Sequence, residues 1–95
     1  MRELIWSKPA RADLLDIATY YDEIDPELGT RLLERIVEGV LPVLDYPQIG
    51  ASTPCRGVRK WHVRGTPFLL FYAVRGERVE VRRVLHHARE RGKFL

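Results

Sequence analysis

The chain holds few residues that could cross-link it, ligate a metal or cradle a phosphate. Cys55 is the only cysteine among 95 residues, so no internal disulfide can form, and this usage suits a reducing cytoplasm. His62, His86 and His87 together with that one thiol do not stand at metal-ligand spacing, so no metal and no cofactor is expected. Gly50, Gly57, Gly65 and Gly76 are scattered turn residues and do not form a phosphate-binding loop. No apolar run approaches the roughly 18 residues of a membrane span; the longest, residues 68–74, is strand-sized. The opening Met1-Arg2-Glu3-Leu4-Ile5-Trp6 runs straight into charge, so neither a secretory leader nor a membrane partner is expected. What is left fits one domain over residues 1–95, able to bury about two-thirds of its unfolded surface. An apolar content of 45% argues against disorder.

Charge is plentiful and unevenly placed. Residues 56–95 carry eleven Lys and Arg against three Asp and Glu, a net of +8. Residues 1–55 carry five against ten, a net of −5, and the whole chain stands at +3. With a pI near 9.4 the basic half calls for an anionic partner, either nucleic acid or an acidic protein segment.

The order of elements follows from periodicity and punctuation. Leu4-Ile5-Trp6 is too short for a helix and reads as a strand. Ser7 as N-cap and Pro9 in the first turn open a helix whose Ala10, Leu14, Ile17, Ala18 and Tyr21 recur at helical spacing, with its end expected near Ile24. Asp25-Pro26 repeats the device and starts a second helix. Its apolar stripe is broad: Leu28, Leu32, Leu33, Ile36, Val37, Val40, Leu41 and Leu44. Arg31 and Arg35 are a like-charge neighbour pair, and Pro42 should kink or end it. Residues 48–57 read as a loop. Three β-type runs follow, separated by Gly-containing turns, as in an antiparallel meander. The middle run is apolar on both faces, as in a covered central strand. In the last run Val79, Val81 and Leu85 share a face that Arg83 interrupts, unless a bulge at Arg82–Arg83 shifts the phase. The expected fold is α+β: a short N-terminal strand, then an antiparallel αα-hairpin packed on a three-strand antiparallel meander.

Candidate chemistry sits in the basic half. His86 or His87 could act as general acid or base in RNA cleavage, or could simply cap backbone at a strand end. Arg59, Lys60, Arg64, Arg82, Arg83, Arg89 and Arg91 could hold phosphates, or form a face for an acidic peptide. Trp61, Tyr72 and Phe94 are the aromatics that could stack on bases.

Five segments carry a resemblance. They are Trp6-Ser7-x-x-Ala10-x-x-Asp13-Leu14-x-x-Ile17-x-x-Tyr20, Leu44-x-x-Pro47-x-x-Gly50 and Gly57-Val58-Arg59, then Phe68-x-x-x-Tyr72-x-Val74 and Val81-x-Arg83-Val84-Leu85-His86-x-x-Arg89. In this order, over nearly the whole chain, they resemble the RelE/ParE superfamily of bacterial type II toxin–antitoxin systems, once described as plasmid stabilisation proteins, and the ParE branch more than RelE. The resemblance implies a toxin in a heteromeric complex with a cognate ParD-like antitoxin, whose acidic C-terminal segment wraps the helices and sheet. Leu14, Ile17, Tyr21, Leu32, Arg59, Trp61, Tyr72 and Arg82 are the positions expected to meet it. ParE-like members are described as poisoning DNA gyrase, for which Arg83, His86, Arg89 and Arg91 are the expected target-facing residues. RelE-like members cut mRNA on the ribosome without a metal; under that alternative Arg64, His86, His87 and Arg83 would do the chemistry. A third alternative is a toxin fold that only binds its antitoxin. The His86-x-x-Arg89 ending matches the ParE branch, although Glu90 stands where Asp is usual. No tyrosine follows His87, and residues 48–56 lack the lysines that RelE-like members use on RNA.

Overall fold

The computed structural model describes residues 2–89, the side chain of Arg89 excepted. The chain runs β1 (Glu3–Trp6), α1 (Lys8–Asp22), α2 (Pro26–Gly39), α3 (Leu41–Asp45), β2 (Ala51–Ser52), β3 (Arg59–His62), β4 (Phe68–Arg75) and β5 (Arg78–His86), closing with a 3-10 turn at His87–Arg89. The fold is α+β as expected, but the sheet has five strands, in the order β1-β5-β4-β3-β2. The meander β3-β4-β5 forms its centre, β1 joins β5 in parallel, and β2 adds an antiparallel edge to β3. Part of the expected loop 48–57 is therefore strand: Ala51 and Ser52 pair with Lys60 and Arg59.

Both expected caps form. The Ser7 hydroxyl accepts from Ala10 N–H at 3.1 Å, and Asp25 Oδ1 accepts from Leu28 N–H at 3.1 Å. Helix α1 stops at Asp22, short of Ile24, because Ile24 N–H and Asp25 N–H both fold back on Tyr21 O and free Asp25 to cap the next helix. Pro42 has no amide hydrogen to donate back along the helix, and the helix breaks at Val40 into α2 and α3.

Helices cover one face of the sheet. Ala10 and Ile17 of α1, Leu32 and Ile36 of α2, and Val43 and Leu44 of α3 share a core with Val63, Phe68, Leu70, Tyr72, Val79, Val81 and Val84. On the opposite face Val58, Leu69, Phe71 and Leu85 are also buried, with Cys55 against them. Strand β4 is covered on both sides, as its unbroken apolar run requires.

The phase of β5 is settled by a bulge. Phe71 pairs with Arg83 but Tyr72 pairs with Val81, so Arg82 is the extra residue. After it the faces exchange: Val84 joins Val79 and Val81 beneath the helices, and Leu85 turns to the opposite face. This corrects the reading that placed Leu85 with Val79 and Val81.

Candidate functional site

The bulge leaves backbone groups outside the ladder, and helix α1 takes them up. Ser7 N–H donates to Val81 O at 3.0 Å, and its hydroxyl donates to Arg82 O at 3.0 Å while capping α1. Six residues on, Asp13 Oδ2 accepts from Val84 N–H at 2.8 Å. The same carboxylate receives Arg83 Nε at 2.8 Å and Nη2 at 2.9 Å, a two-pronged, charge-assisted pair. Ala10, with no exposed surface, lies between these two clasps. The spacing Ser7-x-x-Ala10-x-x-Asp13 thus has a mechanical meaning, because it buckles α1 to the bulge at two points. The Asp13 hydrogen bonds hold the Arg83 guanidinium above its ordinary range, against partial burial. Arg83 is thus engaged within the fold, its guanidinium held by Asp13.

Other expected ligand-facing residues are also engaged by their own chain. Arg59 grips the segment before β2, donating to Gly50 O at 2.7 Å and to Gln48 Oε1 at 2.6 Å. Arg82 pairs with Glu80 at 3.1 Å. Tyr72, expected at the surface, has no exposed area. Its hydroxyl donates to Pro47 O at 2.8 Å and accepts from Gly50 N–H at 2.9 Å. Burial pushes that hydroxyl above its ordinary pKa, while the Gly50 amide and Arg59 pull it down. Ile17 and Leu32 are likewise core residues, and Leu14 and Tyr21 are half-buried against that core. Trp61 is half-buried, with Nε1–H donating to Gly39 O at 2.8 Å.

His86 stands on the helix-facing side, its ring edge-to-face with Phe68 at 5.7 Å and 5.1 Å from His87. Nδ1 accepts from Ala88 N–H at 3.1 Å, so the neutral ring carries its proton on Nε2. It borders a cleft of about 540 Å³ with Asp16, Ile17, Tyr20, Tyr21 and Phe68. Arg64 lies on the turn between β3 and β4 and lines a different groove, with Arg35, Pro42, Trp61 and His62. The fourfold set Arg64, Arg83, His86 and His87 is therefore not assembled around one cavity. Arg91 and Phe94 lie outside the described residues, as does the side chain of Arg89. Among the described residues no three His, Cys, Asp or Glu side chains gather as metal ligands, and no helix is long and apolar enough to cross a membrane.

Sequence reasoning missed the free apolar surface. Val37, Leu41 and Ile49 are about half exposed, and Tyr20, Ile24 and Tyr46 are more exposed still. The signal was the width of the α2 stripe. Its adjacent pairs Ile36–Val37 and Val40–Leu41 cannot both point inward, and Ile36 and Val40 take the core.

The family model of the ParE toxin of type II toxin–antitoxin systems, parDE, matches residues 4–91. The chain belongs to the ParE toxin family. It is the toxin of a type II toxin–antitoxin system. Among solved structures, this ParE-family toxin is similar to a chain of the chromosomal ParDE system of P. aeruginosa, at 29% identity and a TM-score of 0.80, covering 90% of this chain and 96% of that one. It also shares its fold with a chain of the E. coli DinJ–YafQ complex, at 19% identity and a TM-score of 0.53, over 97% and 100% of the two chains. No curated protein sequence matches closely enough to count.

Proposed function

We propose that this ParE-family toxin acts by binding and poisoning DNA gyrase without cutting RNA, and that a cognate antitoxin with an acidic, amphipathic C-terminal segment neutralises it. The observation that supports the non-nucleolytic reading is the separation of the charged groups. RNA cleavage needs an acid, a base and a cation converging on one phosphate. Arg83 is bound to Asp13, and Arg64 and His86 border different depressions. The kinship with the ParDE system, closer than that with YafQ, supports the same reading. Antitoxin binding is supported by the uncovered apolar side chains of α2 and α3 beside a basic sheet, a surface suited to an amphipathic acidic segment.

The test is to express the toxin alone and follow mRNA integrity and DNA supercoiling together, then to repeat the supercoiling reaction with purified gyrase. Gyrase-linked DNA breaks with intact mRNA are expected. Arg64→Ala should leave that activity within a few-fold of wild type, whereas His86→Ala is read on mRNA integrity alone, because His86 is also expected to face gyrase. Prompt ribosome-dependent mRNA cuts abolished by either substitution would sink the proposal in favour of the nuclease. Silence in both assays, with the antitoxin still bound, would leave only a binding protein.

A further inference from the structure

Arg35 and Arg64 line one groove, and neither is in an ion pair among the described residues. Gly65 has φ +79°, and a Cβ there would come within 2.6 Å of Arg35 Nη1. The guanidinium of Arg35, reaching over from α2, therefore lies on the backbone of the turn that carries Arg64. Both side chains are exposed, and among the described residues neither has a hydrogen-bond or ion-pair partner. Two cations on one groove, against the single carboxylate of Glu38, leave it net positive and favour a bound anion.

The groove beside them, about 570 Å³, has one apolar wall and fixed edges. Trp61 and Pro42 line it, and the indole is fixed by its bond to Gly39 O. His62 is held by Nε2 against Thr66 O at 2.8 Å. Glu38 also lines the groove. A continuous phosphate backbone would meet its carboxylate with like charge, whereas a peptide can place single carboxylates away from it. Val37 and Leu41, next in sequence to Glu38 and Pro42, are about half exposed.

We propose that this groove is a docking site for an acidic-apolar segment of the antitoxin. A carboxylate sits across Arg35 and Arg64, and an apolar side chain lies on Trp61 and Pro42. The inference rests on the antitoxin reading above and adds to it the place and the chemistry of recognition.

The test uses the full-length toxin and a fluorescein-labelled peptide of alternating Glu and Leu, followed by anisotropy. Binding should weaken about 10- to 100-fold in the Arg35→Gln/Arg64→Gln double variant, the range of a lost charged contact, and similarly with Gln in place of Glu in the peptide. Arg56→Gln, a substitution of an exposed cation outside the groove, should change it less than about threefold. Equal binding by the double variant, no binding of the Glu peptide, or displacement of that peptide by single-stranded oligouridylate at lower concentration would each overturn the site. A second measurement separates the two readings, using the product of the adjacent reading frame. If it binds wild type and double variant alike, the groove falls and the antitoxin reading stands. If it binds neither while the peptide still requires both arginines, the antitoxin reading falls and the groove stands as a site for acidic peptides.

Discussion

Replacing Asp13 by alanine should unlatch α1 from the β5 bulge. The carboxylate accepts three hydrogen bonds, from Val84 N–H and twice from Arg83, and its side chain is only 11% exposed. Its loss leaves the Val84 amide without a partner, which costs about 1–3 kcal/mol when the group is buried. The Arg83 side chain, 35% exposed, can turn partly to solvent, so the penalty for stranding its charge falls well below the roughly 3–5 kcal/mol of a fully buried pair. Alanine returns a few tenths of a kcal/mol as a better helix former. The net is a destabilisation of about 2–3 kcal/mol, or a fall in Tm of about 8–24 °C for a domain of this size. Arg83→Met should cost less, about 1–2 kcal/mol, because Asp13 keeps the Val84 amide. The double variant should show a coupling of about 1 kcal/mol. Thermal unfolding followed by circular dichroism measures all three. A loss under about 0.5 kcal/mol for Asp13→Ala would refute the latch. So would an Arg83→Met protein of unchanged Tm that has lost all toxicity, since the guanidinium would then be reading a target.

Two further substitutions probe the frame. Tyr72→Phe removes a hydroxyl that satisfies both Pro47 O and Gly50 N–H and should cost about 2 kcal/mol near neutral pH. Because burial raises the Tyr72 pKa above 10.0, the folded state keeps its proton where the unfolded state loses it. Wild-type stability should therefore fall as pH rises past 10.0, and the difference from Tyr72→Phe should narrow there; parallel pH–stability curves would contradict this. Gly29→Ala puts a Cβ 2.7 Å from Tyr21 Cβ across the α1–α2 contact and should cost about 1–3 kcal/mol through overpacking. An unchanged denaturation midpoint would show that the two helices have slack between them.

Most of the frame was legible because it rests on local chemistry. Ser7 and Asp25 read as caps and cap, and Pro42 reads as a break and breaks the helix. The bulge was visible only as a choice, since Arg83 in an apolar phase is equally an exposed charge on a regular strand. The deciding partner is Asp13, seventy residues away, and no local rule reaches that far. Short edge strands escape for the same reason. Ala51–Ser52 has no strand composition and becomes a strand only because β3 offers an edge. The site was harder still. Arginines and aromatics chosen for their type were largely engaged inside the fold, because the groups that recognise a ligand also satisfy backbone. Arg59, Tyr72 and Arg83 do the second.

The same distinction alters the meaning of the uneven charge. Two ion pairs join the acidic half to the basic half, Arg83 to Asp13 and Arg78 to Glu3. Part of the split is therefore complementarity within the molecule: acidic positions on α1 and β1 meet basic positions on β5. Arg78–Glu3 is widely exposed and adds little stability, so its service is to favour the parallel register of β1 on β5. The cations that remain for a partner are fewer than the +8 of residues 56–95 suggests, with Arg56, Arg64 and Arg75 exposed and without an ion pair among the described residues. Of these Arg64 has beside its turn a second cation without an ion pair, Arg35. The recruit comes from the acidic half, where Arg31 is its like-charge neighbour on α2. Net charge by segment pointed to the sheet, but the residues left free by internal pairing point to the turn between β3 and β4, where two guanidinium groups without an ion pair line one groove.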